Sequence, residues 1–444
     1  MESVLNIGFA RMDITPPLGV PIGGYFKKRI TKGVLDPIFA RAISFCSEGK
    51  SALLLSLDMW LLNNESANEW PKRIANVLGL DPDSVFLCCT HSHTTPKVTD
   101  PESDKDYDRW LFERLCEAGR RALEDEKEVI DIRAAQQDQT DLTFSRRFRM
   151  KDGAQMGNPP AATWEDVSKI AHPLGNVDQS LRFVRILRKD APEILIVNFQ
   201  SHPDCIGGEL ISADFPGAVC SHLEEAVDHA CAVFLNGAQG NMVINNRMQP
   251  LPSCGIKNYD YAIAHGKKIA DVALSLYNKA ESVMKGKLQF SQVKVHAKTK
   301  RNTLPLDYCK DIVERYAAGG LEAIDPNPKI ATPIVAEARQ VWQLEQEQLD
   351  YLDLPVTVLT AGGFAVVGIP GEPFSEVGRS IRDASPYPMT CVCCLTNGSF
   401  GYFANKAAIE EGGYDTINTK LVKGTTEALA ESAISQLQAL KNME

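Results

Sequence analysis

The chain has 444 residues, 44% of them hydrophobic and 23% charged, a composition that supports a large core and excludes a disordered or low-complexity protein. Lys and Arg number 47 against 57 Asp and Glu, a net charge of −10 with no compensating basic cluster, which points away from nucleic acid and anionic membranes as partners. No window approaches the roughly 18 consecutive apolar residues of a membrane span, and the first residues, Met1 to Asn6, lack a basic-then-apolar leader, so the expected setting is the cytoplasm with no integral membrane association.

Apolar runs over residues 4–10, 40–45 and 52–58 read as strands. Between the first two, Asp13-Ile14-Thr15-Pro16-Pro17 and Gly23-Gly24-Tyr25 form a rigid turn able to wall a pocket. The next strand, Val85–Cys89, runs straight into Thr90-His91-Ser92-His93-Thr94-Thr95-Pro96. On an extended backbone His91 and His93 point to opposite faces. One is then a metal ligand and the other a proton-handling partner, with a hydrogen-bonded structural pair as the alternative.

Helical spacing follows over 107–124, then strands over 181–187 and 194–200. The second ends in His202-Pro203, a good ligand position, and Asp214 stands at the start of a helix as a candidate N-terminal cap. A strand over 232–236 leads into the small-residue turn Gly237-Ala238-Gln239-Gly240-Asn241, where backbone amides can approach a ligand. Helices over 258–280 and 328–348 flank a strand over 288–296. Strand Phe364–Gly368 then delivers Pro370-Gly371-Glu372 to the start of a helix over 373–383. Cys391 and Cys394 lack a second pair to complete a zinc site and read as a buried strand; the twelve cysteines read as reduced core thiols. Tyr402 and Tyr414 lie in the loop before a last helix over 418–441. Alternating strands and amphipathic helices predict an α/β fold, a mixed β-sheet core flanked by helices.

Read together, these loops resemble the neutral ceramidase family, in its metal-dependent amidase domain, over most of residues 1 to 420. Thr90 to Pro96 is similar to the family's THTHSGP-like segment, His202 to its strand-end histidine, and Pro370-Gly371-Glu372 to its PGE segment. Leu395-Thr396-Asn397, with Tyr402 five residues on, is similar to the turn that carries the family's tyrosine ligand. Tyr414 and Arg146, in Phe144-Ser145-Arg146-Arg147, are similar to a tyrosine and an arginine near the substrate carbonyl.

The resemblance implies a ceramidase-like fold and a single catalytic domain over 1–444, with a C-terminal helix at about 418–441 and no separate C-terminal immunoglobulin-like domain. It implies Zn²⁺ held by His91, His202, Glu372 and Tyr402, with His93, Arg146 and Tyr414 catalytic. The activity implied is hydrolysis of a small-molecule amide or ester by metal-activated water. One departure bears on the substrate: Val243 stands where the family's GDVSPN-like segment carries its serine. Valine offers neither nucleophile nor proton, so membrane ceramide is not the expected substrate. The alternative is a catalytically impaired, metal-containing ligand-binding or regulatory protein.

Overall fold

The computed structural model describes residues 4–252 and 257–444. The larger of the two main sheets contains β1 (Asn6–Asp13), β2 (Phe39–Ser47), β3 (Lys50–Leu57), β4 (Val85–Cys89), β5 (Lys127–Gln137), β6 (Leu181–Arg188), β7 (Glu193–Phe199) and β8 (Ala230–Asn236), in the order β8-β7-β6-β5-β1-β2-β3-β4. The smaller contains β9 (Gln289–Lys298), β10 (Tyr351–Ala361), β11 (Phe364–Gly368) and β12 (Met389–Cys393) in chain order. Both are mixed: β3 with β4, β7 with β8 and β11 with β12 are parallel, and the other neighbours antiparallel. The expected mixed-sheet α/β core is present.

The layering follows from side-chain alternation. On β3, Leu53, Leu55 and Leu57 face α1 (Asn64–Leu78) and α2 (Lys105–Glu124), while Ala52 and Leu54 face the smaller sheet through Leu359, Phe364 and Val366. A strand covered on both faces needs a continuous apolar run, which Ala52 to Leu55 supplies. At the other end of the large sheet, α3 (Asp214–Ala226) and α4 (Tyr259–Leu276) cover β6 to β8 on the helix side. Between β9 and β10 the chain makes a helical hairpin, α5 (Leu306–Gly319) and α6 (Pro328–Gln346), closed around Cys309, Ile312, Val335 and Val341. Finally α7 (Ser375–Asp383) and α8 (Thr425–Lys441) cover the outer face of the smaller sheet. The order of layers is helix, sheet, sheet, helix.

The last helix begins at Thr425, not near residue 418. Bridges from Thr419 to Gly401 and from Leu421 to Thr299 hold the preceding segment extended, and Gly424, at φ 98°, makes the turn into the helix. Cys391 sits fully buried in β12 as expected, and the cysteines among the described residues are free thiols. No helix among the described residues is long and apolar enough to cross a membrane.

The carboxyl ends of the parallel pairs meet. Asn236, the last residue of β8, donates from Nδ2 to the carbonyls of Thr90 (2.8 Å) and Ser201 (3.1 Å), tying together the ends of β4, β7 and β8. Its own carbonyl accepts the amide of Cys394, just past β12, at 3.0 Å. Every loop carrying a candidate ligand therefore leaves from one edge of the sandwich.

Candidate metal and active site

β4 stops at Cys89, and the chain then turns: the amides of Thr90 and His91 donate to the carbonyls of Leu57 and Met59, both at 2.8 Å. His91 has φ 76°, in the left-handed region that side chains other than glycine rarely adopt. That torsion cancels the opposite-face geometry expected of an extended strand. The His91 and His93 ring centroids are 4.8 Å apart, and their Nε2 atoms are 3.2 Å apart. His93 is held through its backbone, its amide donating to Pro203 O at 3.0 Å and its carbonyl accepting Arg29 Nη2 at 2.7 Å. Gly24, at φ 95°, lies against it; a Cβ there would sit 3.0 Å from the Cα, Cβ and Cγ of His93.

His202 enters from the end of β7. Glu372 and Tyr402 come from the smaller sheet, side by side in a two-residue parallel ladder, Glu372–Pro373 with Tyr402–Phe403. Glu372 Oε2 lies 3.3 Å from His91 Nε2 and 3.2 Å from His202 Nε2, and accepts a hydrogen bond from Gln239 Nε2 at 3.2 Å. The Tyr402 hydroxyl is 3.3 Å from His202 Nε2. All four side chains are buried.

Arg146 Nη1 sits 3.2 Å from His202 Nε2 and 3.4 Å from the Tyr402 hydroxyl, while its Nη2 is anchored by the buried carboxylate of Asp415. Tyr414 packs its ring 6.1 Å from that of Tyr402, and its hydroxyl accepts from Asn418 Nδ2 at 2.7 Å. The structure thus brings all seven candidate residues into one cluster. Val243 is close by, half-buried, opposite Phe144 in a short ladder that runs directly into Arg146.

Several supporting groups escape a reading of the sequence. Trp60 acts through its backbone carbonyl, which carries no residue-type signal, and Gln239 through its carbonyl as well as its side-chain Nε2. Asp204 and Asp415 had a weak one, each lying within two residues of a candidate, His202 and Tyr414. Asp204 lies 3.7 Å from His93 Nδ1 and accepts from the Tyr25 hydroxyl and from Lys257. Asp214 is the first residue of α3, not its cap; its carboxylate accepts the amides of Phe215 (2.7 Å) and Cys205 (2.9 Å).

The electrostatics set buried imidazoles against ionised carboxylates. Burial holds His93 well below the usual histidine range, and burial with the Arg146 charge takes His202 down to about 4. Burial alone would raise Glu372, but the two imidazoles beside it outweigh that and hold it well below the usual carboxylate range. Burial keeps the Tyr402 phenol far above its ordinary value. For Asp204 burial is outweighed by His93 and Lys257, and its carboxyl is drawn down to about 2.

The donor set fits a zinc-like ion. His91 Nδ1 is 3.0 Å from Trp60 O and His202 Nδ1 is 3.0 Å from Gln239 O. A carbonyl can only accept, so both Nδ1 atoms carry protons and both Nε2 atoms, turned into the cluster, are the nitrogens left to meet an ion, the outer-shell pattern of metal-binding histidines. Zinc–nitrogen and zinc–oxygen lengths of about 2.0–2.1 Å place adjacent donors of a tetrahedral shell about 3.3 Å apart. Glu372 Oε2 lies at 3.2–3.3 Å from both imidazoles. The ligand atoms of His91, His93 and His202 lie within 4.8 Å of one another, so these three can also hold a metal ion.

Two sheets packed face to face, with nitrogen and oxygen donors at one edge, define an α/β fold of the neutral ceramidase type. The chain is similar over its whole length to the crystal structure of neutral ceramidase from Pseudomonas aeruginosa, with a TM-score of 0.75, 16% identity and coverage of 75% of that chain. It matches equally a structure described as ceramidase complexed with C2, at a TM-score of 0.74 and 15% identity, again over 100% of this chain and 76% of that one. No protein-family profile matches the sequence, and no curated protein does. The fold expected from a handful of loop motifs is the fold observed.

Proposed function

We propose that the protein is a metal-dependent hydrolase of a small amide or ester, working as one catalytic domain. His91, His202, Glu372 and Tyr402 hold the ion, zinc by preference, and His93, Arg146 and Tyr414 act on the substrate. The observation that carries this reading is the convergence of two imidazole Nε2 atoms on Glu372 Oε2, at 3.3 and 3.2 Å, with both outer nitrogens tied to backbone carbonyls. When bound, such an ion lowers the pKa of a water toward about 7 and polarises a carbonyl.

The side chains around it supply the rest. Arg146, oriented by Asp415, presents a fixed positive charge where a carbonyl oxygen gains charge on attack, and the Tyr414 hydroxyl is a second donor for that oxygen. His93 is neutral before reaction and accepts a proton at Nε2. Asp204, 3.7 Å from Nδ1, stabilises the imidazolium until the proton passes to the leaving nitrogen or oxygen. Val243 has no nucleophilic atom, so attack falls to water and membrane ceramide is not the favoured substrate.

A second reading rests on the same Val243: a metal-containing binding or regulatory protein that has lost turnover. Hydrolysis assays over N-acyl amino acids, N-acetyl sugars, simple esters and short-chain ceramides, with and without chelator, separate the two. Chelator-sensitive turnover of any of them supports the enzyme. Inactivity across the panel with full metal content supports the binding protein.

A further inference from the structure

Among the described residues, five of the seven buried arginines pair with a carboxylate, and Arg29 and Arg247 do not. Arg41 pairs with Asp58 at 2.6 Å, Arg146 with Asp415, Arg147 with Glu411 at 3.1 Å, Arg182 with Asp178 at 3.0 Å and Arg188 with Asp125 at 2.6 Å. Arg29 has no carboxylate but donates to the carbonyls of Gly23, Gly208 and His93 and lies over the Tyr25 ring. Arg247 is only 7% exposed, yet among the described residues its guanidinium makes one hydrogen bond, from Nη1 to Pro159 O at 2.6 Å, and pairs with no carboxylate. Burying a guanidinium without a counter-charge is costly, and the fold retains it here.

Its position says what it is for. Arg247 follows the Met242–Val243 ladder, whose partner strand, Phe144–Ser145, runs directly into Arg146. Pro159, which holds Arg247, is preceded by Asn158, whose amide donates to Arg146 O at 2.7 Å. Two short backbone routes thus set Arg247 beside the arginine of the candidate active site. Burial and the Arg146 charge draw its pKa down to about 10, which still leaves it charged at neutral pH. Arg146 pairs with Asp415, whereas no carboxylate among the described residues pairs with Arg247.

We propose that Arg247 receives a carboxylate carried by the substrate on the amine side of the scissile bond, so that the protein cleaves acylated amino acids and not neutral acyl amides. This deepens the hydrolase reading and rests on it for the bond that is broken; the anion contact is independent of it. Hydrolysis breaks the acyl C–N bond, places the water oxygen on the acyl carbon and puts a proton on the leaving nitrogen, releasing a carboxylic acid and an amino acid. A neutral hydroxylated amine, as in a ceramide, would leave Arg247 unanswered.

The test uses ligand pairs that differ only in this charge. Binding to the purified protein, with its metal content measured, is followed by calorimetry for the γ-keto acid isostere of N-octanoylglycine, which has no cleavable bond, for its carboxamide and for its phosphonate. The acid is expected to bind about tenfold to a hundredfold more tightly than the carboxamide, the range of a charge-assisted hydrogen bond. Arg247→Gln is expected to remove that preference while carboxamide binding stays within about twofold, and Arg247→Lys to keep part of it. Equal binding of acid and carboxamide by the unmodified protein overturns the proposal without recourse to any variant. So does a preference that survives in a folded Arg247→Gln, or a phosphonate bound more tightly than the acid. Turnover of N-octanoylglycine is assayed in parallel. A binding preference without chelator-sensitive turnover would leave the anion site standing and overturn the hydrolase reading, whereas turnover without the preference would do the reverse.

Discussion

His91 owes its place in the site to one torsion. Sequence marks His91 and His93 as chemistry-bearing, yet on a strand they would diverge; φ 76° at His91 lets both Nε2 atoms face the same point. The residues that the structure brings together were legible because imidazoles and carboxylates past strand ends are conspicuous. Their support by the carbonyls of Trp60 and Gln239 was not, since every residue has a carbonyl. At this scale the expected outcomes are sharp. His91→Ala and His202→Ala should each lose near-stoichiometric zinc by elemental analysis while keeping native circular dichroism; unchanged metal in either would contradict the ligand assignment. Asp415→Asn should keep the metal but lower turnover about 10²-fold or more, because Arg146 loses the charge that aims it. Val243→Ser should bring no large gain in turnover, and a large gain would mean that a side-chain nucleophile, not water, is what the site lacks.

Asn397 shows how an element is fastened to the site. At φ 53° it accepts the Leu87 amide at 2.8 Å and donates to Val85 O at 2.9 Å, so its side chain pairs along β4 as another strand would. Asn397→Ala should cost about 2–3 kcal/mol, seen as a lower melting temperature, because it strands buried backbone groups and places alanine in the left-handed region. Strands with plain apolar runs, β4 and β11, were legible to the residue, whereas β5 and β10 were not. A bulge opposite Leu187 and Arg188 breaks the alternation of β5, and Pro355 interrupts β10 where it pairs with β9 but not yet with β11. On α4, His265 is buried with its ring bonded to Leu142 O at 2.8 Å, and burial takes it down to about 4 from an ordinary value near 6.5. The unfolded chain therefore binds this proton first. The contribution is fully present above pH 6.5 and lost as pH falls toward 4, by at most about 3 kcal/mol. Denaturant melts across that window should show a shallower decline for His265→Gln, and an identical slope would contradict the assignment.

Across the whole molecule, two mixed sheets place the carboxyl ends of three parallel strand pairs at one edge, and Asn236 ties the ends of the larger sheet together there. Proposed ligands more than two hundred residues apart meet only because both sheets form and pack. Metal loss should therefore weaken the packing between sheets as well as any chemistry. The α/β class was legible from alternating elements, and the particular fold from loops whose order and spacing resemble one family. What could not be read was the face-to-face packing of the sheets, since strands buried on both sides look alike whichever layer covers them. The most direct test of the account is turnover of an N-acyl amino acid by the protein as purified, after chelator treatment, and after zinc is returned. The expected result is activity that disappears with the metal and returns with it in proportion to zinc bound at about one per chain; activity that persists in protein shown to be metal-free would contradict it.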